Sequence, residues 1–319
     1  MPEMNESPDL DYFELGDVSP DHKSGFVALI GRPNVGKSTL MNALLGQKVA
    51  IVSPRPQTTR NRILGILTRP EYQVIFVDTP GIHRPKHRLG EYMVATAESA
   101  IPDADVILFM VDVSVDPRAE DRDIADLIAK RASASPVLLI LNKMDRLRPE
   151  DVEARCEAYW GLGGQGWYQD WMMTTATTCE NLDKLVDQIL DALPLGPRYY
   201  PGDQVTDQTE RQITEELIRE QVLRFTHQEV PHSVAVVVED FKERSEDLIY
   251  ISANVFVERN SQKGIVIGKR GAMLQKIGSA AREQIERMTG TQVFLELWVK
   301  VSEDWRRDVG RLSELGYRR

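Results

Sequence analysis

An eight-residue run near the start of the chain matches the pattern G-x-x-x-x-G-K-[ST]; it reads Gly31-Arg32-Pro33-Asn34-Val35-Gly36-Lys37-Ser38. An apolar run at 26–30 precedes it, and residues 39–45 follow with helical periodicity. A strand, a glycine loop and a helix in this order are the context of a phosphate-binding loop, where backbone N–H groups and the helix N-terminus face the phosphates. Lys37 is expected to reach the outer phosphates, and the Ser38 hydroxyl to bind Mg²⁺. The sequence therefore predicts a nucleotide site that extends from this loop to Thr39.

Further apolar runs predict the sheet to which this loop belongs. They lie at 73–77, 106–111 and 137–141, and segments with helical periodicity at 90–100 and 121–131 separate them. Strands that alternate with helices favour an α/β domain with a mostly parallel sheet and helices on both faces. We place this P-loop NTPase domain at residues 24–194 and a Pro- and Gly-rich linker at 195–206.

The second half of the chain has a different element order. A long amphipathic helix is predicted at 207–227, then strands at 233–238 and 248–257 with a polar turn at 242–247 between them. A short helix, a glycine turn, a helix at 272–288 and a strand at 292–299 follow. This pattern indicates a smaller α+β domain at 207–308, and residues 309–319 remain as a C-terminal tail.

The charge of the chain is unevenly distributed. The net charge is −10, and residues 1–21 contribute −7 of it because they contain seven acidic residues and no Lys or Arg. We predict a disordered acidic leader at 1–23. Residues 263–319 carry twelve basic and seven acidic side chains, which leaves a modest positive surplus in the C-terminal domain. No apolar run is long enough to predict a membrane span, and Cys156 and Cys179 are typical of thiols in a reducing cytoplasm.

Residues 142–145 read Asn142-Lys143-Met144-Asp145 and directly follow the apolar run at 137–141. The Asp145 carboxylate can accept hydrogen bonds from guanine N1–H and from the 2-amino group, which adenine lacks. Thr175-Ala176-Thr177 also follows a predicted strand and can offer a backbone N–H to guanine O6. The predicted ligands are therefore GTP and GDP.

The γ-phosphate region is predicted from two loops. Asp78-Thr79-Pro80-Gly81 follows the strand at 73–77, so that Asp78 can hold Mg²⁺ indirectly, through a group bound to the ion, and the Gly81 N–H can bond the γ-phosphate. In the polar loop near residue 58, Thr59 is the predicted switch threonine that ligates Mg²⁺, with Thr58 as the alternative. Ile82 stands where a water-orienting glutamine would be needed for rapid hydrolysis, so intrinsic turnover is expected to be slow. The predicted catalytic residues are Lys37, Thr59, Asp78 and Gly81.

These motifs, in this order, resemble those of the Era-type GTPases, in which one GTPase domain precedes a type II KH domain. The resemblance covers residues 25–308. It implies GTP hydrolysis, binding of the 3′ end of 16S rRNA and assistance in assembly of the 30S subunit, with no DNA partner. Two positions depart from the usual pattern of the family: Thr175 replaces a serine, and Cys179 replaces a glycine.

The KH resemblance depends on a GxxG turn between two predicted helices. In KH domains this loop clamps a nucleic-acid backbone beside an apolar groove. The RNA-binding residues predicted here are Ile267, Gly268, Lys269, Arg270, Gly271 and Lys276.

Several alternatives stay open at this level. Asn34 resembles the asparagine that holds a K⁺ ion in related GTPases, but it can also serve only the loop's own hydrogen bonds. The chain is predicted to be cytoplasmic, and peripheral contact with the inner face of the cell membrane is a further possibility. Instead of a GTPase switch, it can be an RNA-binding protein whose nucleotide site only regulates affinity.

Overall fold

The computed structural model describes residues 19–55, 57–132, 134–163 and 167–318. Most of the predicted acidic leader therefore lies outside the described residues. No helix of the described part is long and apolar enough to cross a membrane.

The N-terminal domain is built on a six-stranded sheet with the order β2-β3-β1-β4-β5-β6. Only the β2–β3 pair is antiparallel; all other neighbours run parallel. The prediction of a mostly parallel sheet is confirmed, but the edge strand β2 was missed. The strands are β1 (Lys23–Ile30), β2 (Ile63–Thr68), β3 (Tyr72–Asp78), β4 (Val106–Asp112), β5 (Val137–Asn142) and β6 (Asp170–Thr174).

Helices cover both faces of this sheet. Alternate residues of β1 enter two separate apolar cores: Ala28 packs in one with Ile124, and Leu29 in the other with Leu40. Period-2 alternation in a strand that is buried on both faces produces this division. The helices of the domain are α1 (Lys37–Leu45), α2 (Arg88–Ser99), α3 (Ala119–Arg131), α4 (Val152–Trp160) and α5 (Leu182–Ala192).

The C-terminal domain contains a three-stranded sheet with the order β7-β8-β9, in which β7 and β8 are antiparallel and β8 and β9 parallel. Helices pack on one face of it around a single apolar core. The predicted α+β KH fold is thereby confirmed. Its elements are α6 (Glu210–Phe225), α7 (Val230–Ser233), β7 (Ala235–Ser245), β8 (Leu248–Val257), α8 (Asn260–Ile267), α9 (Ala272–Thr289) and β9 (Gln292–Val301), followed by α10 (Val309–Glu314).

The polar turn predicted at 242–247 was wrong in extent. Strand β7 continues to Ser245, with Lys242 opposite Tyr250 and register shifts after Val238 and after Glu243. The error has a physical cause: this end of the hairpin is exposed, so polar side chains are tolerated and the backbone ladder, not burial, holds the strand.

The segment predicted as a linker packs along the first sheet. Val205 O accepts a hydrogen bond from Ile66 N at 2.8 Å, and the Gln73 side chain accepts from Tyr199 N at 2.7 Å. Residues beyond 308 are packed as well: they form α10, and the Tyr317 ring stacks on Trp305, which is fully buried.

Glu215 in α6 is held in an environment that favours its neutral form. Burial raises the pKa of this carboxyl to about 7, although Val238 N–H donates a hydrogen bond to it at 2.9 Å. The folded state thus binds this proton more tightly than the unfolded state, so the free energy of unfolding should fall as the pH rises from about 4.5 to about 7.

We expect Glu215→Gln to raise the free energy of unfolding at pH 8 by about 1–2 kcal/mol and to give no gain at pH 4. This is less than the ~3 kcal/mol that corresponds to the full rise of the pKa, because the side chain is only partly buried. Thermal unfolding of the full chain at both pH values measures the effect, with Glu303→Gln on the exposed surface as the control. An equal gain at both pH values would contradict the assignment.

Candidate nucleotide-binding and RNA-binding sites

The phosphate loop joins β1 to α1 at the carboxyl edge of the sheet, and its backbone approaches neighbouring strands closely. Gly36 has φ of 109°, and a Cβ there would lie 2.2 Å from Nδ2 of Asn142. A Cβ on Gly31 would lie 2.3 Å from the carbonyl oxygen of Met110. Only glycine fits these two positions, because a Cβ at either of them would overlap an atom of a neighbouring strand.

Lys37 is buried at the start of α1. Its Nζ donates hydrogen bonds to Gly31 O at 3.2 Å and Arg32 O at 3.1 Å, which hold the ammonium group over the loop. Burial lowers the pKa of Lys37 to about 8, and the charge of Asp78 opposes this shift. A partly desolvated ammonium beside backbone N–H groups is suited to bind phosphate oxygens.

The three predicted Mg²⁺ ligands converge. Ser38 Oγ donates to Asp78 Oδ2 at 2.5 Å and lies 2.8 Å from Thr59 Oγ1, which is 3.2 Å from the same carboxylate oxygen. Asp78 is fully buried, its Oδ1 has no hydrogen-bond partner among the described residues, and burial raises its pKa. The two hydroxyls are hard oxygen donors of the kind that Mg²⁺ prefers, and the buried carboxylate that orients them can hold the ion indirectly, so these residues fit the ion.

The two candidate switch threonines have different surroundings. Thr58 Oγ1 donates to Arg55 O at 2.7 Å within its own loop, whereas Thr59 faces Ser38 and Asp78. This geometry favours Thr59 as the ligand.

Hydrogen bonds hold residues 78–82 against the end of β1 and the start of the phosphate loop. Thr79 Oγ1 donates to Leu29 O at 2.7 Å, and Ile82 N donates to Gly31 O at 3.1 Å. A Cβ on Gly81 would lie 2.4 Å from Pro33 N. The Gly81 backbone therefore lies directly against the loop that would hold the phosphates. The bond from Thr79 to Leu29 positions this turn, in which Pro80 precedes Gly81.

Asn142 connects three of the predicted motifs. Its Nδ2 donates to Val35 O at 2.8 Å, and its Oδ1 accepts from Thr174 Oγ1 at 3.2 Å and from Ala176 N at 3.1 Å. Lys143 bonds Asn34 O at 2.7 Å and Asp112 at 2.6 Å. The guanine-specificity motifs and the phosphate loop thus form one unit.

The base end of the site is open. Asp145 is 41 % exposed, and its nearest charged neighbour is Arg146 at 3.9 Å. Thr175 N donates to Glu180 O and Ala176 N is bonded to Asn142, while Thr177 lines the cleft itself.

A cleft of about 350 Å³ lies over the phosphate loop and is also lined by Thr59, Gly81, Lys143 and Thr177, whereas Asp145 is not part of its lining. Sequence reasoning predicted most of its walls but missed Gln57, Arg146 and the segment 51–54, which no motif marks. The Arg32 side chain does not join the cleft: it is buried and donates to Asp121 at 2.6 Å, so only its backbone belongs to the site. In the described part of the chain, no cluster of three His, Cys, Asp or Glu side chains offers another metal site.

The residues that flank Thr59 contact the C-terminal domain. Thr58 O accepts a hydrogen bond from the buried Arg219 of α6. The buried Arg60 donates to Val234 O at 2.7 Å and to the Tyr317 hydroxyl at 3.0 Å. Sequence reasoning missed both arginines, since only their partners distinguish them from ordinary surface charges.

A second contact between the two domains involves the segment 51–54. Glu220 of α6 accepts hydrogen bonds from Val52 N at 3.0 Å and from Lys48 at 2.5 Å. The loop that carries residues 51–54 and 58–60, called the switch segment below, is therefore held by α6 as well as by its own domain.

The GxxG turn lies between α8 and α9, as predicted. Gly268 and Gly271 have φ of 72° and 82°, and a Cβ on Gly268 would lie 2.6 Å from Met273 Cβ. Lys269 and Arg270 at the tip are exposed. This geometry lets a ligand backbone approach the turn while two cations face it.

An apolar groove adjoins the turn between α9 and β9; Leu274, Gly278, Leu295 and Leu297 line it. Lys276 does not face this groove, because its ammonium group lies 4.3 Å from the centre of the Phe225 ring on α6. Ile267 packs at the edge of the domain core.

Family models match both halves of the chain. The model of the 50S ribosome-binding GTPases matches residues 26–143, and that of the KH domain matches residues 229–306.

Relatives and solved structures match over nearly the whole length. GTPase Era of Heliobacterium modesticaldum is 48% identical over 92% of this chain and 97% of its own, and that of a Nostoc species 53% over 94% and 91%. A crystal structure of Era with MgGDPNP and nucleotides 1506–1542 of 16S ribosomal RNA has a TM-score of 0.88 at 39% identity, covering 93% of this chain and 99% of its own. A variant of Aquifex aeolicus Era bound to GDP and AlF₄⁻ also scores 0.88, at 40% identity over 92% and 99%. With its phosphate loop, guanine motifs and GxxG turn assembled in the same order and fold, the chain belongs to the Era family of GTPases.

Proposed function

We propose that this GTPase is a switch that binds the 3′ end of 16S rRNA through its KH domain and assists assembly of the 30S subunit. The observation that carries the proposal is the position of Thr59. Its hydroxyl faces the Mg²⁺ ligands, while the residues on either side of it bond the C-terminal domain through Arg219 and Arg60. The rRNA fragment in the solved Era complex supports the choice of RNA.

The proposed reaction is attack of water on the γ-phosphate of GTP, which releases GDP and phosphate. Lys37 neutralises charge on the phosphate oxygens, and the Gly81 N–H donates to the γ-phosphate. Ser38, Thr59 and Asp78 would hold Mg²⁺, which supplies positive charge to the phosphates when bound. Ile82 is buried and cannot orient water through its side chain, so slow intrinsic turnover is expected.

The nucleotide can affect the C-terminal domain because this domain contacts the residues on both sides of Thr59. If Thr59 moves when the γ-phosphate leaves, the bonds of Thr58 and Arg60 to α6 and to Tyr317 must change with it. A ligand shifts an equilibrium only through its different affinity for the two states. We propose that nucleotide state sets the availability of the RNA surface in this way.

A K⁺ ion beside Asn34 is part of the proposal. The side-chain Nδ2 donates to Pro54 O at 2.9 Å, so Oδ1 is the atom that a cation would take. We expect replacement of K⁺ by Na⁺ at fixed ionic strength to slow hydrolysis about tenfold with little change in nucleotide affinity, because the cation would act mainly on charge in the transition state. Steady-state phosphate release in both salts measures the effect.

Asn34→Ala should abolish the difference between the two salts. Equal rates for the parent in K⁺ and Na⁺ would leave Asn34 with its bond to Pro54 as its only role.

The proposed function is tested by single-turnover GTP hydrolysis with and without immature 30S subunits. A switch should hydrolyse GTP faster in the presence of the subunit, or should release the subunit. If hydrolysis is indifferent to the subunits while RNA affinity depends on nucleotide, the site only regulates RNA binding.

We propose that the protein acts in the cytoplasm, where ribosomal subunits assemble. A peripheral contact with the inner face of the cell membrane stays a prediction. The domain limits 24–194, 195–206, 207–308 and 309–319 are proposed likewise. The segment after 308 packs both on the KH domain, at Ala235 and Trp305, and on Leu89 and Met93 of α2.

A further inference from the structure

The side chain of Arg32 does not line the nucleotide cleft but ends in a buried ion pair. Its Nε donates to Asp121 Oδ1 at 2.6 Å, although the two residues are 89 positions apart in the chain. Asp121 is fully buried, and the Arg32 side chain is only 10 % exposed. Two charges withdrawn from water need favourable geometry, since their attraction has to offset the loss of both hydration shells. The pair therefore constrains where the phosphate loop lies on its domain.

Asp121 is itself held at the start of α3. Its second oxygen, Oδ2, accepts a hydrogen bond from Arg118 N at 2.9 Å and so caps the first turn of this helix. The N-terminus of a helix favours negative charge, so a carboxylate suits this position. One carboxylate thus joins the first turn of α3 to the phosphate loop.

The backbone of Arg32 lies between the two groups assigned above to the γ-phosphate. Lys37 Nζ donates to Arg32 O at 3.1 Å and to Gly31 O at 3.2 Å. Directly after Arg32, the nitrogen of Pro33 would lie 2.4 Å from a Cβ on Gly81, so the Gly81 turn rests against the loop at this point. A displacement of residue 32 would therefore move the Lys37 ammonium group relative to the Gly81 N–H.

The second half of the phosphate loop is held by a different part of the domain. Val35 O accepts a hydrogen bond from Asn142 Nδ2 at 2.8 Å, and Asn34 O accepts one from Lys143 at 2.7 Å. These two contacts come from the guanine motif at the end of β5, whereas the contact of Arg32 comes from α3. Asp121 thus fixes the first half of the loop, to which Lys37 is bonded, independently of the guanine motif.

We propose that Arg32 and Asp121 are positioning residues for GTP hydrolysis, which set the place of the Arg32 carbonyl and, through it, of the Lys37 ammonium group at the γ-phosphate. The inference rests on the role proposed for Lys37 and does not depend on RNA. Neither side chain of the pair lines the cleft, so the effect passes through the loop backbone. It should be larger in the transition state than in the bound nucleotide, because charge shifts among the phosphate oxygens as the bond breaks.

The test measures three quantities in the full chain: the single-turnover rate of GTP hydrolysis, the affinity for GDP, and the affinity for GDP with AlF₄⁻, which mimics the transition state. In Arg32→Met the rate should fall by about 10²-fold, the effect expected when a catalytic group is misplaced by about 1 Å. Affinity for GDP should stay within about twofold, whereas affinity for GDP with AlF₄⁻ should fall as the rate does. Arg32→Lys keeps a cation beside Asp121 and should recover most of the rate.

A double variant separates positioning from stability. Arg32→Met leaves the Asp121 carboxylate buried without its cation, which should lower the melting temperature. Arg32→Met with Asp121→Asn removes both charges, so the melting temperature should rise again while the hydrolysis rate stays low. If Arg32→Met alone does not fold, the double variant carries the same test. Arg131→Met is the matched control: it breaks an exposed ion pair of the same helix, with Glu98 at 2.9 Å, and should hydrolyse GTP like the parent.

Two results would refute the positioning role of the pair. One is a double variant that recovers the rate together with the melting temperature, since Arg32 and Asp121 would then serve only the stability of the domain. The other is a loss of GDP affinity as large as the loss of rate, since the loop would then bind every nucleotide less well. Lys37→Ala identifies which proposal has failed. If it is slow while Arg32→Met keeps the parent rate, only this inference is wrong; if it hydrolyses GTP like the parent, the role of Lys37 is wrong as well.

Discussion

Replacing Asp145 by asparagine is expected to weaken GTP binding by roughly 10⁴-fold and to improve binding of xanthosine triphosphate. The carboxylate would accept from guanine N1–H and from the 2-amino group, whereas an amide presents one acceptor and a donor that opposes the amino group. In xanthine the 2-amino group is replaced by an oxygen, which the amide can meet as a donor. Titration calorimetry with both nucleotides measures the exchange of preference.

The structure makes this variant a clean test. Asp145 is 41 % exposed and its closest charged contact is the long one to Arg146, so the substitution should leave the melting temperature unchanged. Asp191→Asn on the exposed surface of α5 is the matched control and should bind GTP like the parent. An unaltered GTP affinity in Asp145→Asn would remove this residue from the guanine site.

The second large effect concerns RNA. Lys269→Asp combined with Arg270→Asp should lower RNA affinity by roughly 10²–10³-fold at low salt, because two cations at the tip of the GxxG turn become two anions that face the RNA backbone. The dependence of log affinity on log salt should become less steep by ~1.4, since about two phosphate contacts on a single strand are lost. Filter binding with a short copy of the 16S rRNA 3′ end gives both quantities.

The control for this variant carries the same change of charge elsewhere. Arg122→Asp with Lys130→Asp alters exposed positions on α3, and it should leave RNA affinity close to that of the parent. GTP hydrolysis without RNA should persist in both, because the nucleotide site is built from the N-terminal domain. Unchanged RNA affinity in the Lys269 and Arg270 variant would refute the GxxG turn as the binding site.

Nucleotide state supplies a further comparison in the same assay. If the parent binds RNA equally with GTP, GDP or no nucleotide, the RNA site stands and the proposed coupling fails. A difference would indicate that the contacts of Arg219 and Arg60 with the switch segment transmit the nucleotide state.

The local motifs could be predicted because each of them consists of consecutive residues with a defined chemical role. The phosphate loop needs glycines where the backbone approaches Met110 and Asn142, and such a need appears directly in the sequence. The alternation of apolar runs with helical segments likewise predicts the parallel sheet. The GxxG turn belongs to the same class.

Strand β2 and the exposed end of β7 could not be predicted so well. Both lie at edges of their sheets. The end of β7 is exposed, so burial imposes no apolar pattern there. Strand β2 is buried at five of its six residues, but its short apolar run is interrupted by Gly65, which weakens the sequence signal of a strand. Side-chain direction is equally hard to predict, as Lys276 shows. Its charge predicts contact with RNA, but its position on α9 places the ammonium group over the Phe225 ring.

The sequence by itself determined the nucleotide, the fold class and the two-domain order, since these depend on short motifs and on periodicity. Only the tertiary structure favours Thr59 over Thr58, because the preference depends on which hydroxyl faces Asp78 across the fold. The tertiary structure alone also revealed the hydrogen bonds of Arg60 and Arg219 between the switch segment and the C-terminal domain. Contacts between residues more than 150 positions apart leave no local signal, because each partner is an ordinary residue until the chain brings the two together.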